Sequence, residues 1–222
     1  MKSENLQNNF YYLAYYFGIL VFSDKSKLVD HEKYHDLEVF FLNATYYAQS
    51  PRFIEGLITW SMKFGSYLSP SKLRRLIKMK TLHNPQVLGS LLDIIDKKNN
   101  RGSFRIVTKL LKPLNIKQGL TPESKIDLIR KPYPEFYNWG IVIPYYECNE
   151  DKYLRPMSYL IKNCLEIKNR ILIGSAVHAD LVTTLQKNKN NLNNLNAYRA
   201  AKMIFSERSS VNKIYNDILY VI

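Results

Sequence analysis

Along the first 130 residues, short runs with apolar positions three and four apart alternate with tight polar connections. Four of these runs follow a polar residue and a proline, at Ser50-Pro51, Ser69-Pro70, Asn84-Pro85 and Thr121-Pro122. A serine, asparagine or threonine side chain can cap the first free N–H groups of a helix, and proline fits the first turn because its missing N–H is not needed there. The pattern therefore predicts a series of short helices.

Two other stretches have a different character. The run from Phe10 to Phe22 is apolar and rich in tyrosine, and it predicts a buried first helix, since about 20 apolar residues are needed to cross a bilayer. Residues 140–147 (GIVIPYYE) are β-branched and aromatic, and Lys152 to Arg155 could return beside them after a polar turn. Pro144 has no amide proton to give to a neighbouring strand, so this β-ribbon is expected at an edge.

Small and branched residues near the C-terminus predict a helix-turn-helix over residues 197–217. The residues expected on its inner face are Ala200, Ala201, Ile204, Val211 and Ile214. A small side chain at Ala201 lets two helices cross closely, and a branched side chain at Val211 fills the angle between them. The polar residues left on the outer face are of the types that contact base edges and phosphates. They are Glu207, Arg208, Ser209, Asn212, Lys213 and Asn216.

The segment from Gly174 onward, with Ala179-Asp180-Leu181 and the 197–216 pattern, resembles bacterial winged helix-turn-helix transcriptional regulators. The resemblance implies that a helix like 208–221 enters the major groove and that a wing contacts the DNA backbone. Phe205 stands at the turn position where that family usually has glycine, which takes a positive φ readily. Because the sequence ends at Ile222, the wing is expected either from the 140–155 ribbon or not at all.

These patterns together predict a mainly α-helical fold in three parts. Residues 1–139 form a multi-helix N-terminal domain, and residues 140–173 hold the short edge β-ribbon and a connecting segment. Residues 174–222 form the winged-helix-like helix-turn-helix subdomain. No repeat period holds well enough to indicate a solenoid.

The net charge of the chain indicates what kind of molecule it could bind. The chain has 32 lysine and arginine residues against 19 acidic ones, for a formal charge of +13. Such a surplus favours nucleic acid or an anionic membrane surface, although a solvated lysine-rich surface has the same composition. The densest basic segment without an acid is 69–80, which contributes Lys72, Arg74, Arg75 and Lys78 as candidate phosphate contacts. The two cysteines are too few for a disulfide framework and indicate a reducing, cytoplasmic setting.

Residues 31–35 read as H-E-x-x-H, the zinc-binding pattern of a class of peptidases. On a helix beginning at Asp30, the apolar stripe of Tyr34, Leu37, Phe41, Ala44 and Ala48 would face the core. His31 and His35 would then lie roughly 110–150° away from the centre of that stripe, with Glu32 between them. A zinc site needs its ligands in a shielded cleft, so we expect no metal at His31, Glu32 and His35, and no cofactor elsewhere.

The sequence therefore predicts a non-enzymatic, nucleic-acid-binding regulator whose partner is duplex DNA. Its contacts would come from the outer face of the helix-turn-helix and from the basic face of residues 69–80. The alternative is a protein-interaction module, such as an antitoxin-like neutraliser or an assembly subunit, with a protein partner or a homodimer contact. A zinc peptidase is the remote alternative, and no membrane partner is expected.

Overall fold

The computed structural model describes residues 10–20, 33–121, 126–189 and 195–219. Within these ranges the chain is mainly helical, as predicted. The helices are α1 (residues 10–16 of the described part), α2 (Leu37–Tyr46), α3 (Pro51–Phe64), α4 (Pro70–Lys78), α5 (Pro85–Asn99), α6 (Arg105–Thr108), α7 (Pro134–Asn138), α8 (Glu150–Tyr153), α9 (Met157–Asn163), α10 (Leu165–Ile173), α11 (Ala176–Lys187), α12 (Ala197–Met203) and α13 (Arg208–Leu219). Short 3-10 helices cover Gly65–Tyr67 and Ile126–Leu128, and the described strands are β1 (Gln118–Gly119) and β2 (Ile141–Val142).

Three of the four predicted helix starts are confirmed. Ser50 accepts a hydrogen bond from the amide of Phe53 at 3.2 Å, so α3 begins at the following proline. Ser69 caps α4 in the same way, and the Asn84 side chain accepts from two amides at the start of α5. The fourth predicted start falls at Thr121-Pro122, and Pro122 lies outside the described residues.

The helix predicted from Asp30 begins later than expected. Asp30 lies outside the described residues, and residues 33–36 precede α2 without being helical. Asp36 is the N-cap, because its carboxylate accepts from the amides of Glu38 and Val39, both at 3.0 Å. The apolar positions assigned to this stretch are nevertheless buried: Tyr34, Leu37, Phe41, Ala44 and Ala48.

The main core is built around aromatic side chains of α1, α2 and α3. Trp60 is fully buried, and its indole N–H donates to the carbonyl of Phe17 at 2.9 Å. The ring centroids of Phe40 and Phe41 each lie 5.8 Å from that of Trp60. The first helix is therefore buried, as predicted, although its helical turns end at residue 16. No helix in the described part of the chain is long and apolar enough to cross a membrane.

The β-ribbon predicted over residues 140–155 is wrong. Strand β2 pairs in parallel with β1, which lies earlier in the chain, rather than with Lys152 to Arg155. Lys152 and Tyr153 belong to helix α8 instead, because the Asn149 side chain accepts from the Lys152 amide at 2.9 Å and caps a helical turn. Leu154 is extended, but it pairs with Ile19 rather than with β2. Ile141 and Val142 are buried in the protein. Residues 144–152 are mostly exposed, but they do not pair as a ribbon with residues 140–143, so residues 140–155 do not form the predicted wing.

A second, smaller core joins α11, α12 and α13. Its buried apolar side chains are Leu181, Leu185, Leu195, Ala200, Ala201, Ile204, Val211 and Tyr215, with Tyr34 from the segment before α2. The main core draws its buried apolar side chains from residues 10–167. Between the two cores, α10 and α11 meet through buried polar groups, among them Arg170 with Asp180 and Asn169 with Thr183.

Candidate nucleic-acid interface

Helices α12 and α13 separate apolar from polar residues as the sequence predicts. Four of the five residues expected to face inward are at most 3% exposed: Ala200, Ala201, Ile204 and Val211. Ile214 is half-buried against the same core. The predicted contact residues whose side chains are described are exposed on α13: Arg208, Ser209 and Asn212. The side chains of the other two predicted contacts, Lys213 and Asn216, lie outside the described part.

The turn between α12 and α13 has a positive φ at Phe205, the residue that stands where winged helix-turn-helix regulators usually have glycine. Phe205 has a φ of 50°, in the left-handed region that costs a residue with a side chain roughly 1–2 kcal/mol. Its ring is half-buried and packs against the main core, and this contact offsets the backbone strain. The amide of Ser206 donates to the carbonyl of Ala201 at 2.9 Å and closes the turn. The start of α13 is therefore fixed relative to the main core.

A groove of about 790 Å³ lies between α4 and the start of α13. The α4 wall contributes Arg74, Arg75 and Lys78, and the opposite wall contributes Ser206, Glu207 and Ser210. Val177, in the first turn of α11, also lines it. The tertiary structure thus brings together two sets of residues that are predicted separately, the cations of α4 and the first turn of the expected recognition helix.

Lys72 is not part of this surface, and its prediction as a phosphate contact is wrong. Its side chain is buried, with the residue 4% exposed, and its ammonium group forms ion pairs with the carboxylates of Asp36, Glu38 and Asp180. Successive residues of a helix are about 100° apart, so Lys72 and Arg74 point in directions about 200° apart. Lys72 therefore does not share the face that carries Arg74 and Lys78.

Arg170 completes this buried ion cluster. Its guanidinium donates to both carboxylate oxygens of Glu38, at 3.0 and 2.9 Å, and to both of Asp180, at 2.9 and 2.8 Å. It also donates to the carbonyl of Tyr67 at 2.7 Å. The cluster ties α4 to α11 through Lys72 and Asp180. Both helices line the groove, so the cluster holds two of its walls together.

The cluster contains three carboxylates and two cations, all buried, and its carboxyl groups have shifted pKa values. Burial raises the pKa of Asp36 to about 6, against the attraction of Lys72. Burial also acts to raise the pKa of Glu38, but the charges of Arg170 and Lys72 outweigh it and lower that pKa to about 2. Burial raises the pKa of Asp180 as well. The cluster has one more carboxylate than it has cations. Because the pKa values of Asp36 and Asp180 are raised, these two carboxyl groups take up a proton more easily than an ordinary aspartate does.

These shifts predict how stability changes with pH. The folded-state pKa of Asp36 lies above its ordinary 3.8, so its protonated form favours the folded state and its contribution is lost as pH rises through about 6. Glu38 has a lowered pKa, so its contribution is present above pH 4.5 and is lost as pH falls through about 2. We expect the Asp36→Asn protein to gain about 2–3 kcal/mol of stability relative to wild type between pH 4 and pH 7, at about 1.4 kcal/mol per pKa unit.

Urea unfolding of both proteins across that pH range measures this difference. Asparagine also caps helices well, so the start of α2 should be retained in the variant. Both proteins share every other titrating group, so the difference between them reports the Asp36 carboxyl together with its effect on Lys72, Glu38 and Asp180. Parallel pH profiles for the two proteins would contradict the raised pKa.

The same three carboxylates are close enough together to resemble a metal site. One oxygen each from Asp36, Glu38 and Asp180 lies within 4.8 Å of the others. The ammonium group of Lys72 already contacts all three, and Arg170 pairs with two of them. These two cations neutralise the charge that would attract a divalent metal, so the group is a buried ion cluster. The expectation of no metal cofactor stays a prediction.

Within the H-E-x-x-H segment, the described residues 33–35 are not helical, in contrast to the prediction. His31 and Glu32 lie outside the described residues, and His35 precedes α2. The backbone amide of His35 donates to the carboxylate of Glu166 at 3.0 Å, and its ring lies against Tyr16 with 5.7 Å between centroids. The contacts of His35 therefore attach this segment to α10 and α1.

Comparison with known proteins finds no family model, no curated protein and no solved structure that matches this chain. The resemblance to winged helix-turn-helix regulators therefore stays a prediction from the residues of the C-terminal segment. The function has to be argued from the groove and from the exposed face of α13.

Proposed function

We propose that this chain is a non-enzymatic regulatory protein that binds nucleic acid, with duplex DNA as its partner. The observation that carries the proposal is the groove with the cations of α4 on one wall and the first turn of α13 on the other. The formal charge of +13 supports a polyanionic partner, because neutralising phosphates releases counterions and drives binding.

In this proposal α13 enters the major groove and reads bases. Arg208 and Asn212 are four residues apart and both exposed, so they lie on the same face of the helix. Arginine pairs in a bidentate manner with guanine and asparagine with adenine, which suits two neighbouring base pairs. The Arg208 guanidinium lies 5.9 Å from the ring centroid of Tyr198 on α12, a cation–π contact between the two helices.

The α4 cations would contact phosphates of the same duplex, on the side of α13 that carries Ser210. Arg74 and Arg75 are half-buried along the groove and Lys78 is exposed. The N-terminus of a helix carries a partial positive charge, so the start of α13 adds to the attraction for an anion. Among the described residues that line these two walls, Glu207 alone carries a carboxylate, and three cations outweigh it.

The salt dependence of binding tests this arrangement. Arg74, Arg75 and Lys78 should be replaced together by glutamine and the affinity for duplex DNA measured over a range of salt concentrations. We expect the slope of log affinity against log salt to become shallower by about 1–3 units, since each lost phosphate contact removes about 0.9. Fluorescence anisotropy with a labelled duplex gives the affinities.

The matched control replaces Arg52, Arg130 and Lys162 by glutamine. These are also two arginines and one lysine, they are exposed, and none of them lines the groove. The control changes the net charge by the same amount, so its slope should stay close to that of wild type. Equal slopes for the two triple variants would mean that the α4 face is only solvated, and the proposal would lose its main support.

A further inference from the structure

The groove between α4 and α13 carries more charge than a single backbone phosphate requires. The formal charges of Arg74, Arg75, Lys78 and Glu207 sum to +2, from three cations and one carboxylate. An internal phosphate of a nucleic acid carries one negative charge. A phosphomonoester carries about −1.5 to −2 at neutral pH and has three acceptor oxygens. The charge of the groove therefore matches a terminal phosphate better than an internal one.

Two arginines that line this groove each have a buried hydrogen-bond donor without an acceptor among the described residues. The Nε atoms of Arg74 and Arg75 are buried, and neither has a hydrogen-bond partner among the described residues. A buried donor without a partner destabilises the folded state, so the presence of two calls for an explanation. Guanidinium groups bind the oxygens of a phosphate in pairs, and an oxyanion seated between these two arginines would supply the missing acceptors.

The groove also has an apolar side that a phosphate alone would not need. Pro70, Ile106 and Val177 line it beside the cations, and Ile106 is 47% exposed. Its volume of about 790 Å³ lies within the range of small-molecule sites, about 300–1,000 Å³. This space can take the sugar and base attached to a phosphate, with the apolar side chains against the base.

We propose that the groove binds a phosphomonoester carried by a nucleoside, either the phosphorylated 5′ end of a nucleic-acid strand or a free nucleoside monophosphate. The inference rests on the proposed function and deepens it, because it names the group that the α4 wall recognises. Arg74 and Arg75 hold the phosphate oxygens, the start of α13 contributes its partial positive charge, and the apolar residues contact the nucleoside.

The test compares two duplexes of identical sequence, one with 5′-phosphate ends and one with 5′-hydroxyl ends. The full chain should bind the phosphorylated duplex at least about tenfold more tightly, since hydrogen bonds to a charged phosphate are among the strong ones. Titration calorimetry with adenosine 5′-monophosphate and with adenosine separates the two sources. Saturable binding of the nucleotide but not of the nucleoside supports a free-nucleotide site, and preference for the phosphorylated duplex alone supports a strand end.

A charge-preserving variant distinguishes the arginines from general attraction. In the double variant Arg74→Lys and Arg75→Lys the net charge is unchanged, but the paired guanidinium donors are gone. We expect it to lose the preference for the phosphorylated end while keeping the salt dependence of duplex binding. Arg130→Lys is the control, because Arg130 is exposed and does not line the groove. Circular dichroism checks that both variants are folded.

Two outcomes separate the failure of this inference from failure of the proposed function. Equal affinity for both duplexes, with no binding of the nucleotide and a salt slope that still depends on Arg74, Arg75 and Lys78, would overturn the inference and leave the proposed function standing. Binding of the nucleotide without binding of any duplex would support the site and overturn duplex DNA as the partner.

Discussion

Replacing Arg170 by methionine is expected to lower the free energy of unfolding by about 3–5 kcal/mol, the cost of removing one partner from a buried ion pair. The Arg170 side chain is 1% exposed and donates to Glu38, Asp180 and the carbonyl of Tyr67. Methionine fills part of the same space but has no donor, so the carboxylates would lose this partner in the interior. Urea unfolding followed by circular dichroism measures the change.

Lys168→Met is the matched control for this prediction. Lys168 is on the same helix, its side chain is half-buried, and the structure shows no ion pair for it among the described residues. Its replacement should change the free energy of unfolding by no more than about 0.5 kcal/mol, as for most surface substitutions. If Arg170→Met were as mild as the control, the cluster would not be holding α10, α11 and α2 together.

The other large effect is expected on sequence-specific DNA binding. Arg208→Ala and Asn212→Ala should each lower the affinity for a selected DNA site by about 1–3 kcal/mol, while affinity for random DNA changes far less. Both side chains are exposed on one face of α13, where they could reach adjacent base pairs. The measurement is a pair of binding curves for each variant, one with a site selected from a random library and one with unselected duplex.

Two further variants make this prediction specific. Lys213→Ala should weaken both kinds of binding about equally, since the sequence predicts a phosphate contact for it. Ala201→Leu should abolish both, because Ala201 is 3% exposed where α12 packs in the second core and a larger side chain would push the helices apart. If Arg208→Ala leaves DNA affinity intact but breaks a co-purifying protein complex, the protein-interaction alternative is the better account.

The sequence by itself determined those features that depend on interactions between residues only a few positions apart. The caps at Ser50, Ser69 and Asn84 could be predicted because a capping hydrogen bond joins residues only two or three positions apart. The inner face of the helix-turn-helix could be predicted for a similar reason, since the helical period places Ala201 and Val211 on buried faces. The exposure of Arg208 and Asn212 follows from the same period.

Other features depended on contacts that no local pattern contains. Strand β2 pairs with a strand more than 20 residues earlier rather than with the nearby Lys152 to Arg155, where the Asn149 cap starts a helix. The sequence pattern favoured Asp30 over Asp36 as the start of the helix. In the structure, the side chain of Asp36 accepts the capping hydrogen bonds, and α2 begins at the next residue. Competing caps of similar quality cannot be ranked from a sequence, because the packing of the following helix decides between them.

The charged residues show the division most clearly. Lys72 and Arg74 are two positions apart in a basic run, but the first lies in the buried ion cluster and the second lines the groove. The partner of Arg170 on α2, Glu38, is 132 residues away along the chain. The sequence alone establishes which side chains carry a charge, because the charge depends on the residue type. Whether the charge faces water or an opposite charge in the interior is decided by how the helices pack, because only packing brings such distant residues together.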